Sequence, residues 1–171
     1  QAEDGIRDVE RSRGLGDVYK RQLLPLTKAK ESGFDDVIFL NASNENMIDE
    51  ISSANLFVVK GNILKTPHLG GSILPGVTRD SVIKIADKIM NLKVQETDVT
   101  IEELLDADEI FCTGTAVIVT SVGNVSFRGE DHKIGIAGER SIAEQLKKIL
   151  LGIQQEEIED PFGWITPVSA H

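Results

Sequence analysis

The chain is poor in several residue types, and each shortage excludes a class of protein. Its single cysteine, Cys112, excludes an internal disulfide framework and is typical of a reducing intracellular compartment, whether cytoplasm, mitochondrion or plastid. No apolar run approaches the ~20 residues of a membrane-spanning helix, so a membrane is not expected as a partner. The three histidines and the cysteine do not fall at zinc-ligand spacing, so we expect no metal site.

Basic residues are also scarce relative to acidic ones. The 171 residues include 18 Lys and Arg against 28 Asp and Glu, which gives a formal net charge of −10. An acidic surface repels phosphate backbones and anionic headgroups, so nucleic acid is not expected as a partner either. With 40% hydrophobic residues, the chain is long enough to form one domain with a substantial core.

The N-terminal segment differs in character from the rest. QAEDGIRD (1–8) resembles a translated sequencing adapter, and RSRGLGDVYKRQ (11–22) resembles further read-through of the same origin. We therefore interpret residues 1–22 as a non-native tail and residues 23–171 as a partial domain. The alternative is a natural, mobile N-terminal tail.

Strands and helices are predicted to mix without regular βαβ alternation, which indicates the α+β class. Gly61-Asn62 is a hairpin turn, Thr78 is a candidate N-cap, and Thr100 with Glu103 forms a capping box. Residues 41–46 are rich in turn formers. The predicted helices are 24–32, 78–91, 100–106 and 141–155, and the predicted strands are 37–40, 48–50, 56–60, 63–66, 93–97, 109–112, 116–122 and 125–128.

The segment from Glu50 to Arg79 carries the chemistry. Glu50 lies just ahead of a strongly apolar strand, and the turn at Pro75-Gly76 opens a helix. The N-terminus of a helix presents free backbone N–H groups and a partial positive charge, which favour a phosphate. A nearby carboxylate can pair with a protonated ring nitrogen. Phosphate and ring nitrogen together describe pyridoxal 5'-phosphate (PLP).

The spacing of this segment resembles the signature of the class IV PLP-dependent aminotransferases, with fixed positions at Glu50, Asn55, Phe57, Thr66, Gly76 and Arg79. From about Leu23 to Val168 the sequence is similar to the branched-chain amino-acid aminotransferases. The resemblance implies the large C-terminal domain of the fold-type IV enzymes, with the small N-terminal domain missing. It also implies a homodimer for the full-length parent and a role in branched-chain amino-acid biosynthesis.

The resemblance also implies which residues bind the cofactor. Glu50 accepts the proton of the pyridine nitrogen, and the backbone N–H groups of Val77 and Thr78 bind the phosphate. Leu74 packs on one face of the ring. Arg79 is not expected to bind phosphate, because the side chain of an early helical residue can point away. Without the resemblance, Glu50 is a solvated loop residue and the turn is an ordinary helix start.

A second glycine turn, residues 113–116, lies between two apolar runs. Such a turn leaves backbone N–H groups free to form an anion nest. The resemblance implies that Thr115 binds the phosphate and that Thr115 and Ala116 bind the substrate carboxylate. Some relatives carry a Cys-x-x-Cys redox pair just beyond this turn, but Val117 and Thr120 stand there, so we expect no such switch. Cys112 is expected to be a buried core residue.

No residue of this chain is assigned a catalytic role. The Schiff-base lysine of the family lies upstream of Leu23, and the equivalent position is Gly14, within the tail. Lys20 lies too late and in the wrong context. Because the lysine is both nucleophile and proton carrier, we expect this chain alone to be inactive. His68 is expected to be an exposed loop residue rather than an acid or base.

The function that the resemblance implies is transamination between leucine, isoleucine or valine and 2-oxoglutarate, giving branched 2-oxo acids and glutamate. Two sibling enzymes, D-amino-acid aminotransferase and aminodeoxychorismate lyase, share the same cofactor cradle. A third alternative is a non-catalytic remnant that acts as an interaction module on the dimer face of a full-length subunit.

Overall fold

A mixed five-stranded sheet lies at the centre of the computed structural model, which describes residues 24–52, 54–70, 73–135 and 140–166. The proposed tail, 1–22, lies outside the described residues. The helices are α1 (24–31), α2 (Val77–Lys88), α3 (Ile101–Leu105) and α4 (Ile142–Gln154). The strands are β1 (Ile38–Asn41), β2 (Asn44–Ile51), β3 (Asn55–Lys60), β4 (Ile63–Thr66), β5 (Lys93–Glu96), β6 (Glu109–Gly114), β7 (Ile118–Val122), β8 (Asn124–Phe127) and β9 (Glu130–Lys133).

The central sheet has the strand order β5-β4-β3-β6-β7, in which β4 and β5 are parallel and the other neighbours are antiparallel. Two separate hairpins, β1-β2 and β8-β9, flank it. The mixture of helices with mostly antiparallel strands confirms the predicted α+β class. Among the described residues, no helix has both the length and the apolarity that crossing a membrane requires.

The two faces of the sheet bury separate cores, because successive side chains of a strand point to opposite sides. On one face, the stacked rings of Phe57 and Phe111, 4.9 Å apart, pack with Val82 of α2 and Leu146 of α4. On the other face, Leu56 and its neighbours pack against β2, α3 and β8. Strand β3 is buried from Asn55 to Val59 since it contributes to both cores.

Several local predictions are confirmed. Gly61 adopts a positive φ of 56° in the β3-β4 hairpin, as a turn of this kind requires. The Thr100 side chain accepts from the N–H of Glu103, whose carboxylate accepts from the N–H of Thr100, so the capping box is present. Lys65 and Thr100 bind Glu103 and lower the pKa of its carboxyl. Cys112 is buried in β6.

Three predictions were wrong. Thr78 is not the N-cap, since the helix begins at Val77 behind Gly76. The strand predicted at 48–50 begins earlier, because Asn41 accepts from the N–H groups of Ser43 and Asn44 and so confines the turn within 41–46, letting β2 begin at Asn44. The helix predicted over 78–91 ends at Lys88, so Ile89 is its C-cap and is 37% exposed. Strand β9 was not predicted; its residues, EDHK, are too polar to show a strand pattern.

Glu109 provides the first testable prediction. Its buried carboxylate accepts from the N–H of Ile142 at 2.8 Å and from that of Ala143 at 3.3 Å, which ties β6 to the N-terminus of α4. A charge at this end complements the helix dipole. We expect Glu109→Gln to lower the free energy of unfolding by about 1–2 kcal/mol. Urea titration measures the loss, with Glu130→Gln on exposed β9 as the control. Equal stability of both variants contradicts the role.

Cys112 provides a prediction about pH. Burial, with a smaller contribution from the charge of Asp36, raises the pKa of its thiol from 9.0 to about 11. A raised pKa means that folding disfavours the thiolate, so this contribution to stability is complete below pH 9 and is lost as the pH rises through about 11. We therefore expect slow labelling of the folded chain by a disulfide reagent at pH 8, with full reaction in urea. Rapid labelling without urea contradicts this.

Candidate functional site

The N-terminus of α2 is open. Gly76, the N-cap, has extended backbone angles (φ −67°, ψ 136°), and no side chain among the described residues caps the helix there. The Gly76 carbonyl accepts from the N–H of Asp80 at 3.1 Å, which starts the helical ladder. The first N–H groups of a helix have no partner within it, so those of Val77 and Thr78 remain for a ligand. The geometry suits an anion.

The bend that leads into α2, residues 74–76, is held by Asn55. This residue begins β3, is 5% exposed, and its Nδ2 donates to the Leu74 carbonyl at 2.8 Å. On the other side of the same amide, a Cβ built on Gly76 lies 2.3 Å from Asn55 Oδ1. Only a glycine at position 76 allows the backbone to pass so close to the Asn55 amide. Asn55 and Gly76 therefore fit each other without space for a methyl group.

The second bend follows β6. That strand ends at Gly114, a turn covers 115–117, and β7 returns from Ile118. Thr115 and Ala116 are exposed in this turn. Ile118 has a φ of +55°, a conformation that strains a β-branched residue by roughly 1–3 kcal/mol. Such strain is often found at ligand-binding turns.

Asn55 connects the two bends. In the sheet it is paired with Thr113, which is fully buried and stands just before the second bend. Directly paired residues of antiparallel strands project to the same face, so the Thr113 hydroxyl and the Asn55 amide share the face that carries α2. Among the described residues, the Thr113 Oγ1 has no hydrogen-bond partner. The structure thus brings both predicted bends to one end of β3 and β6.

Glu50 lies on β2, where it is half-buried and paired with Phe39 of β1. The residues just before it, Ile48 and Asp49, line a groove together with the segment that leads into the first bend. The groove-lining residues of that segment are Pro67, His68, Gly70 and Ile73. β2 and the approach to Leu74 therefore face each other across this groove, but neither Glu50 nor Leu74 is among the described residues that line it. The binding roles of both residues stay predictions.

The remaining site residues differ in exposure. Leu74 is 72% exposed and Val77 84% exposed, which leaves two apolar side chains beside the open helix end. Arg79 is buried instead, and its Nη2 donates to the Pro67 carbonyl at 3.0 Å and to Glu96 at 2.8 Å. Its guanidinium is thus engaged by groups inside the protein. His68 is exposed, as expected, and its Nδ1 lies 3.0 Å from Asp98.

Sequence reasoning missed two positions at this site. Asn55 was assigned to the pattern but not to a role, and Thr113 was assigned only to a turn. One clue was available: Asn55 is a polar residue at the head of an otherwise apolar strand, Asn55–Lys60. Buried polar residues are usually hydrogen-bonded, so this one needed a partner. The sequence did not show that the partner lies 19 residues ahead, at Leu74.

Comparison with known proteins is consistent with this geometry. The family described as "Amino-transferase class IV" matches residues 17–125. Over 150 residues the chain is 41% identical to the branched-chain amino acid aminotransferase 1, mitochondrial, of Humulus lupulus, covering 88% of the chain but 38% of that protein. The chain thus spans about two fifths of that relative's length.

Solved structures give the same picture. The branched-chain amino acid aminotransferase of Escherichia coli aligns with a TM-score of 0.74 and 34% identity, over 85% of this chain and 47% of that one. That of Thermobaculum terrenum, solved in its PLP form, aligns with a TM-score of 0.71 and 32% identity, over 84% of this chain and 44% of that one.

Proposed function

The chain belongs to the class IV aminotransferase family, and from that premise we propose that it is part of an enzyme that transfers amino groups between branched-chain L-amino acids and 2-oxoglutarate. The proposed donors are leucine, isoleucine and valine, with glutamate as the second product and PLP as the cofactor. The observation that carries the proposal is the open N-terminus of α2, which Asn55 holds beside the end of β6. The names of the similar proteins support the choice of substrate.

The residues present fit a phosphorylated ring. The bend is so tight that a Cβ on Gly76 would fill it, and the helix end behind it has no side-chain cap among the described residues. A phosphate suits such an end. The exposed Leu74 offers an apolar surface of the kind that a flat ring covers. The buried Thr113 hydroxyl, which has no hydrogen-bond partner among the described residues, adds a polar group on the same face of the sheet.

In this proposal the binding tasks are divided among the residues of the two bends and Glu50. Backbone N–H groups of Val77 and Thr78 bind the phosphate, and Thr115 adds a donor from the second bend. Thr115 and Ala116 also orient the substrate carboxylate. The half-buried carboxylate of Glu50 holds a proton on the ring nitrogen, since an opposite charge nearby favours the protonated form.

The bound cofactor supplies a protonated ring that stabilises negative charge at the substrate α-carbon. The tasks proposed for this chain are positioning and charge, not nucleophilic attack. Gly14 stands where the family has its lysine, so we propose that the 171-residue chain has no turnover of its own. The homodimer and an intracellular location, both of which the resemblance or composition predicts, are also proposals.

Pyridoxamine 5'-phosphate is the probe for the cofactor site, because it binds without a lysine. We expect the chain to bind it with a change in ring absorbance, and inorganic phosphate to compete. Glu50→Gln is expected to weaken binding by about tenfold, since the ring nitrogen loses a charged partner. Glu45→Gln, an exposed position on the same strand, is the control. Equal affinity of both variants contradicts the role of Glu50, and no binding by the wild type contradicts the proposed site.

Substrate class is tested on the full-length protein that contains this sequence. We expect turnover of leucine, isoleucine and valine with 2-oxoglutarate, and none of D-alanine or aminodeoxychorismate. Turnover of D-alanine or of aminodeoxychorismate assigns the protein to one of the two sibling enzymes. The 171-residue chain is assayed in parallel and is expected to be inactive. If it instead captures a full-length subunit without binding the probe, the interaction module is the better description.

A further inference from the structure

We propose that Asn55 is a positioning residue that holds the Leu74–Gly76 bend in the shape that aims the first N–H groups of α2 at the ligand phosphate. The inference rests on the proposed function and deepens it. Asn55 itself does not contact the ligand in this scheme. It acts through the backbone of the bend, from the buried end of β3.

The first argument is that both polar atoms of the Asn55 side chain lie against the same bend, one as a hydrogen-bond donor and one in close contact. Nδ2 donates to the Leu74 carbonyl at 2.8 Å. Oδ1 lies 2.3 Å from the position that a Cβ of residue 76 would take. The amide therefore touches the bend at its first and last residues. Two contacts two residues apart define the direction in which the chain enters the helix.

The second argument is that α2 does not cap itself. Its N-cap is a glycine, and among the described residues no side chain bonds to that end. The two other helices that carry a described cap differ: Thr100 caps α3 and Ser141 caps α4. A helix end without its own cap leaves its entry angle to outside contacts. For α2, Asn55 supplies such a contact from the end of β3.

The third argument is that the elements on both sides of the bend, the sheet that carries Asn55 and the first turn of α2, are held in place. Its backbone is paired with Thr113 in the middle of the sheet, and its neighbour Phe57 stacks on Phe111. Arg79 fastens the first turn of α2 through Pro67 and Glu96. The bend thus lies between two anchored elements, and Asn55 joins them. A side chain fixed by packing positions a site more precisely than a loop does.

The test compares Asn55→Asp with Thr66→Val in the complete chain. The Asp variant keeps the size and Oδ1 of Asn55 but replaces the donor to Leu74 with an acceptor. Thr66→Val also removes a buried donor. The Thr66 hydroxyl donates to the Leu56 carbonyl at 2.8 Å, and neither residue belongs to the bend. Both variants lose one buried hydrogen bond and are expected to lose stability.

Only the Asp variant is expected to lose about tenfold in affinity for pyridoxamine 5'-phosphate and to show faster amide exchange in residues 73–78. Thr66→Val should keep its affinity within twofold and its exchange in 73–78 unchanged. The inference is overturned if Asn55→Asp matches the wild type in both readouts, or if Thr66→Val shows the same losses.

Failure of the proposed function gives a different result. If the wild type binds neither pyridoxamine 5'-phosphate nor inorganic phosphate, the cofactor site is refuted. The exchange measurement still decides about Asn55 in that case, since it requires no ligand. Unchanged exchange in residues 73–78 of the Asp variant then overturns the positioning role as well, whereas faster exchange supports it.

Discussion

Gly76→Ala is expected to abolish most binding of pyridoxamine 5'-phosphate and to destabilise the fold. The added Cβ would lie 2.3 Å from Asn55 Oδ1 and 3.5 Å from Asn55 Cγ, so either the amide or the bend must move. Asn55 is buried and bonded to Leu74, which leaves it little freedom. We expect a loss of about 1–3 kcal/mol in the free energy of unfolding and at least roughly tenfold in affinity.

The sign of this effect is informative because backbone conformation opposes it. Gly76 has a φ of −67°, which any L-residue adopts. Replacing glycine by alanine at such a position stabilises a protein by about 0.4–1 kcal/mol when nothing clashes. Gly123→Ala is the matched control, since a Cβ there meets nothing within 4 Å. Destabilisation at position 76 but not at 123 therefore measures the clash alone.

Combining the substitution with Asn55→Ala extends the test. The smaller side chain removes the clash, so the double variant should be more stable than the sum of the single losses predicts. Affinity should not recover, because the hydrogen bond to Leu74 is then absent. Strict additivity of the two stability changes contradicts the close contact between residues 55 and 76.

The sequence was most informative where a local rule determines the structure. Gly61 needed a positive φ, and Thr100 and Glu103 cap each other, so the turn and the capping box were predictable from spacing. The register of β3 against β6 and the order of the central sheet were not predicted. Both depend on contacts distant in sequence, such as Asn55 with Thr113. Local patterns do not determine such pairings.

The start of α2 shows why the site was only partly predictable. Thr78 offers a side-chain oxygen that can cap a helix, which Gly76 lacks, and the sequence therefore favoured it. In the structure Asn55 and Arg79 set the entry of the helix from outside, which moves the cap back to the glycine. Tertiary contacts replaced the local preference. Under the proposed function this matters, because it leaves Thr78 within the first turn, where its N–H can bind phosphate, instead of at the cap.

The second large effect is expected at Glu96. The side chain of Arg79 is 4% exposed, and Glu96, 46% exposed, is its carboxylate partner at 2.8 Å among the described residues. Glu96→Gln leaves a buried cation with the Pro67 carbonyl. Removing the carboxylate leaves the buried guanidinium without this charged partner. Because Glu96 is itself half exposed, we expect less than for a fully buried pair, a loss of about 1–3 kcal/mol by urea unfolding.

Removing both charges should be milder than removing one. In Arg79→Met/Glu96→Gln neither of the two residues carries a charge, and the methionine fills part of the space. The double variant is therefore expected to be more stable than Glu96→Gln alone. Asp80→Asn is the control: its pair with Lys84 is as short, at 2.7 Å, but exposed, and its loss should stay within about 0.5 kcal/mol. A double variant no more stable than Glu96→Gln contradicts the argument.

The same double variant separates stability from positioning. Arg79 ties the first turn of α2 to the loop at Pro67 and, through Glu96, to β5. Restoring stability with methionine does not restore that tie. If the tie helps to aim the N–H groups of Val77 and Thr78, the double variant regains its free energy of unfolding but binds pyridoxamine 5'-phosphate more weakly than the wild type. Wild-type affinity would instead assign the orientation of the helix end to Asn55 alone, because its bond to Leu74 is intact in this variant.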